Sequence, residues 1–151
     1  MCGRFQLKKN SESDALIRAI SANGPVLYAD DISPMKKISI IRQYSRHVRV
    51  IVPAIWWLCL DRETLKPAVK YSSFNSKYDK LNTKGSASYI PFRKSRCIIP
   101  ATAFNERLAE EKVWHMIELQ GSAIAFGGLF QDYLNPNTGE TVTAASIITP
   151  P

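Results

Sequence analysis

The sequence is short of cysteine and shorter of histidine, with three of the first and two of the second among 151 residues. Cys2, Cys59 and Cys97 are odd in number and far apart, which suits reduced thiols better than a disulfide framework. There is no Cys-x-x-Cys pair, and neither His47 nor His115 has a partner at ligand spacing, so no metal site is expected. Long hydrophobic runs are missing as well. The longest, Val48 to Leu60, is broken by Arg49 and Pro53 and falls short of the roughly 18 residues of a membrane span. The first residues contain no apolar block of the secretory type. These absences predict a cytoplasmic protein with no membrane partner. Acidic residues are the last shortage: 13 Asp and Glu face 20 Lys and Arg, a net charge of +7. Such a balance favours an anionic partner, nucleic acid first.

What is present is core-forming. At 45% hydrophobic residues the chain can bury an interior, and its length suits one domain. Ser11-Glu12-Ser13-Asp14 before Ala15-Leu16-Ile17 reads as a short capped helix, with Gly24-Pro25 ending it. Strand signals follow at Ile38 to Ile41 and Val48 to Val52. Arg96 to Pro100 reads as a buried strand stopped by its proline. Val113 to Leu119 and Ala123 to Phe130 read as a hairpin around Gln120-Gly121. Leu134 to Gly139 is a turn, and Thr141 to Thr149 a final strand. Tyr71 to Ser88 is polar and reads as a loop with one helical turn. The sum is a strand-dominated α+β fold.

The opening Met-Cys-Gly-Arg-Phe carries the sharpest chemical possibility. Removal of Met1 would leave Cys2 with an α-amine and a thiol on adjacent carbons. Their reference pKa values are about 7.7–8.0 and about 8.5, and together they close a thiazolidine ring on an aldehyde. Cys2 could also act as a thiolate alone, with Arg4 lowering its pKa. Asn75, in Phe74-Asn75-Ser76-Lys77, can hold a carbonyl, a phosphate or a water, and Lys77 can bind a phosphate. Glu106 follows the buried strand and its proline, where a carboxylate can act as general acid or base. Trp56 and Trp57 can stack on unpaired bases or fill a core. Cys97 reads as a buried core thiol.

The order of these segments resembles the SRAP family (SOS response-associated peptidase). The opening pentapeptide, Asn75-Ser76-Lys77 and Arg96-Cys97-Ile98-Ile99-Pro100-Ala101-Thr102-Ala103-Phe104-Asn105-Glu106 carry the likeness, and Ala125 to Phe130 and Ser146 to Thr149 extend it. The resemblance implies twisted antiparallel sheets forming a partly open barrel with a short N-terminal helix. It implies a nucleoid-associated monomer that binds abasic sites in single-stranded DNA and needs no cofactor. Cys2 would be the nucleophile and crosslinking residue, and Asn75 would orient the ring and the terminal amine. Glu106 would shuttle protons, and Arg4 and Lys77 would contact phosphates, with Trp56 and Trp57 beside the DNA. Removal of a short leader peptide by the same cysteine is the family's second activity. Two departures stand out: Lys77 replaces the family's arginine, and Arg107 replaces the aromatic residue after the glutamate. The family's later histidine block has no counterpart before Pro151, which gives the expectation of a C-terminally truncated domain over residues 1–151. Two other readings stay open: a DNA-independent cysteine hydrolase, and a non-catalytic module binding single-stranded DNA.

Overall fold

A computed structural model describes residues 2–151, so the expected removal of Met1 concerns a residue outside them. The short capped helix forms where it was expected, with its cap on the residue before Ser11. In α1 (Ser11–Ile20) the N-cap is Asn10, whose side chain accepts from the Ser13 N–H while the Asn10 N–H donates to Ser13 Oγ. Glu12 and Asp14 sit in the first turn, where the helix dipole favours acids. Ser13, Leu16, Ile17 and Ile20 form the inward stripe. The helix ends at Ser21 in the left-handed conformation (φ 57°), not at Gly24. Gly24 lies beyond it, and a Cβ there would stand 2.6 Å from the Ile51 carbonyl oxygen.

Five strands wrap into a barrel. They are β4 (Lys37–Ser45), β5 (Val48–Trp56), β7 (Arg96–Ala101), β10 (Ile124–Leu134) and β11 (Thr141–Thr149). The sheet runs β5-β4-β7-β10-β11, all antiparallel. It closes through a parallel seam of two residue pairs, Ala144↔Ile55 and Ala145↔Trp56. Two short strands extend it, β2 (Ala22–Asn23) on β5 and β6 (Asn75–Lys77) on β11. Alternation places Ile38 and Ile40, Ala54 and Trp56, Cys97 and Ile99, and Ala145 and Ile147 inside. Gly128 keeps room for this packing, since a Cβ there would approach Ile99 and Cys97 to 3.0 Å or less. Between β4 and β10, the Arg42 guanidinium makes two 2.9 Å bonds to Asp132 and lies 3.9 Å from the Phe130 ring centroid.

Two expectations are corrected here. Pro100 does not stop its strand, because β7 continues to Ala101. β4 pairs with β7 only at Ile41↔Ile98, so no ladder on that flank needs a donor at Pro100. The hairpin around Gln120-Gly121 also divides. Only Leu119↔Ser122 bridges, after which β9 (Trp114–Ile117) and β10 enter different sheets. The second sheet has four antiparallel strands in the order β3 (Ala29–Ile32), β1 (Arg4–Leu7), β8 (Ala103–Arg107), β9. It meets the barrel through Phe5, Leu7 and Ile32, which join the same core cluster as the barrel's inner face. No helix among the described residues is long and apolar enough to cross a membrane.

Candidate active site

β1 sets the position of the first candidate residue. Its pattern puts Phe5 and Leu7 inward and leaves Arg4 and Gln6 toward solvent. The Phe5 ring meets Trp56 edge-on at 4.9 Å and Phe126 at 6.2 Å. Cys2, just before this anchored strand, is 3% exposed and belongs to the core cluster. Its Sγ lies 3.6 Å from the Arg4 carbonyl oxygen. Burial pushes the Cys2 thiol up from 9.0 to about 11; a hydrogen bond with the Arg4 backbone partly offsets this, and the Glu106 charge adds to it. The side chain of Arg4 does not assist, because its guanidinium pairs with Asp31 at 2.9 Å on the exposed side.

Asn75 reaches Cys2 from the barrel. It is carried by β6, aligned with Ile147 of β11, and its Nδ2 donates to the Cys2 carbonyl at 2.7 Å. Its Oδ1 is buried, and no donor among the described residues reaches it. The residue before it is held from two sides: the Phe74 carbonyl accepts from Trp56 Nε1 at 2.8 Å and from the Ile147 N–H at 3.0 Å. Asn75 and Lys77 also line a cavity of about 750 Å³, with Cys59, Tyr71, Ser73 and Lys80 on its walls.

Glu106 reaches the site from the second sheet. It lies two residues past Phe104, whose ring packs at 5.5 Å against Phe126, so alternation turns both toward the barrel side. Its charge acts on the Cys2 thiol. Continuing the register Arg4↔Asn105 brings Gly3 alongside Glu106. A Cβ at Gly3 would meet nothing within 4 Å, so open space adjoins this row.

The structure thus gathers Cys2, Asn75 and Glu106, and leaves Lys77 exposed on the same strand as Asn75. It does not present Trp56 or Trp57 to a base. Trp56 is 0% and Trp57 6% exposed, and the Trp57 N–H is engaged by the Ala68 carbonyl at 3.2 Å. Inward alternation on β5 and two T-shaped contacts make Trp56 a core residue that fixes the Phe74–Asn75 junction. Sequence reasoning also missed the cavity walls, because a polar serine-rich stretch reads as loop. It missed His115 too, which stands directly opposite Glu106 in the β8–β9 register. Alternation on the two segments could have suggested that pairing. Among the described residues no group of three or more His, Cys, Asp or Glu could hold a metal ion.

The profile of one protein family, described as SOS response associated peptidase (SRAP), matches residues 1–151. No curated protein matches. Several solved structures share the fold. A protein from Bacteroides thetaiotaomicron superimposes with a TM-score of 0.73 at 20% identity, covering 99% of this chain and 68% of its own. One from Bordetella bronchiseptica gives 0.69 at 20% identity over 99% and 72%. A phage-related protein from Bordetella bronchiseptica gives 0.69 at 15% identity over 99% and 69%.

Proposed function

The chain belongs to the SOS response associated peptidase (SRAP) family, which ties it to the response to DNA damage; from that premise we propose that it is a covalent sensor of abasic sites in single-stranded DNA. The observation that carries this reading is the convergence on Cys2 of an amide at 2.7 Å and a carboxylate charge from a different sheet. Once Met1 is removed, the Cys2 amine adds to the aldehyde carbon of the ring-opened sugar. Glu106 supplies the proton with which the hydroxyl leaves as water, giving an imine. The thiol then adds to the imine carbon, and its proton passes by way of Glu106 to the ring nitrogen, closing a thiazolidine. Burial disfavours the thiolate, so a neighbouring proton acceptor assists the thiol's attack, the role given to Glu106. The buried, unpartnered Asn75 Oδ1 offers an acceptor for the new amine. The same cysteine would remove a short leader peptide.

The basic surface would concentrate the protein on DNA before the rare aldehyde is met. Lys77 and Lys80 at the cavity supply cations for phosphates flanking the lesion.

The test is a denaturing gel of the protein with single-stranded DNA carrying one abasic site. A heat-stable shifted band is expected, lost in Cys2→Ala and slowed about a hundredfold in Glu106→Ala, as for removal of a general acid–base group. No band from protein with a free N-terminal Cys2, despite salt-dependent DNA binding, would leave a binding module instead.

A further inference from the structure

The β8–β9 hairpin carries a pairing that the reading above leaves unused. Its register sets Phe104 against Ile117, Asn105 against Met116, Glu106 against His115 and Arg107 against Trp114. Directly opposed residues of an antiparallel pair share one face, with Cβ atoms about 4.5–5.5 Å apart. Glu106 and His115 therefore stand side by side on the face that also carries Phe104. His115 is fixed from its other side: Nε2 lies 2.9 Å from Glu111 Oε2, an ion-pair geometry. A carboxylate only accepts, so this contact keeps the ring proton on Nε2 and leaves Nδ1 as an acceptor in the neutral imidazole.

We propose that His115 is a proton-relay and positioning residue for Glu106, with Glu111 as its anchor. This rests on the crosslinking chemistry proposed above. A proton that Glu106 takes from the Cys2 thiol passes to His115 Nδ1: the S–H bond breaks, an O–H bond forms and breaks, and an N–H bond forms. Glu111 balances the imidazolium, and the proton returns by the same path when the ring nitrogen needs it. His115 is 46% exposed, so it can also exchange protons with water.

Among the described residues, the following charged and titratable groups lie along this row. Cys2 comes from the segment before β1. His115 comes from β9, and Glu111 from the loop joining β8 to β9. Gly3 contributes no side chain. Arg107 and Trp114 form the next row, on the opposite face by alternation.

The experiment measures the pH dependence of the crosslinking rate in the full chain, comparing native protein with His115→Gln. In the variant the rate at neutral pH should fall about threefold to fivefold, with a changed pH profile and an unchanged Tm. An unchanged rate and profile would overturn the inference. So would a lower rate with an identical pH–rate profile, which would make His115 a structural neighbour only. If native protein forms no crosslink, the crosslinking proposal and the relay fall together. A normal native crosslink beside an unaltered profile in His115→Gln would remove the relay alone.

Discussion

The barrel and the outer hairpin of the second sheet are built from strands of similar kind and end in opposite conditions. Inside the barrel Trp56, Ile40, Ile99 and Ala145 are all 0% exposed. In β9 every residue is exposed, including Trp114 and Met116. The candidate site takes one part from each: Asn75 from the enclosed region, Glu106 from the strand that borders the open one. A rigid wall is suited to holding Cys2 in place. An edge in contact with water is suited to exchanging protons. Under the chemistry proposed above, positioning and proton traffic fall to different sheets.

The sharpest way to break that contrast is at the tryptophans. Trp56→Ala should cost about 3–5 kcal/mol in urea denaturation, because it opens a core cavity and removes one of the two donors to the Phe74 carbonyl. If instead the loss is below about 1 kcal/mol, the barrel interior is not the stabilising half. A smaller effect should appear at alkaline pH. Burial pushes the Cys97 thiol up to about 12, above its unfolded value, so folding favours the protonated form. That contribution is complete below the unfolded pKa of about 8.5 and fades as pH rises toward the folded one. The stability advantage of native protein over Cys97→Ala should shrink by about 2 kcal/mol between pH 9 and 11. A constant advantage across that range would mean the thiol is solvated. The smallest effect is expected outside: Trp114→Ala should change stability by less than about 0.5 kcal/mol, measured in the same denaturation series.

How much of this was legible in the sequence depended on the kind of information required. The apolar runs at Ile38–Ile41, Val48–Val52 and Thr141–Thr149 announced strands, and strands formed there. Period-two alternation reports that a strand has an inner face. It does not name the partner. Hence Val113–Leu119 was paired with the segment after Gln120-Gly121, although β9 in fact lies against β8. The barrel seam was equally hidden, since it rests on only two residue pairs, Ala144↔Ile55 and Ala145↔Trp56, far apart in the sequence. Of the candidate site, Cys2, Asn75 and Glu106 were named from motif order, while their meeting required β6 to join β11. Trp56 and Trp57 were assigned to DNA because a Trp-Trp pair after an apolar strand has the same composition whether it faces a base or a core.

The seam has a further consequence. β11 pairs with Trp56 at Ala145 and with Asn75 at Ile147, so the chain leaves and rejoins the barrel at nearly the same point. The Trp56 indole clasps the returning end at Phe74. Everything between is an excursion with both ends pinned, and it supplies Cys59, Tyr71 and Ser73 to the cavity wall. Evolution or a protein engineer can lengthen, shorten or recompose that excursion while Asn75 keeps its hold on the Cys2 carbonyl, so the cavity wall can diversify without disturbing that contact.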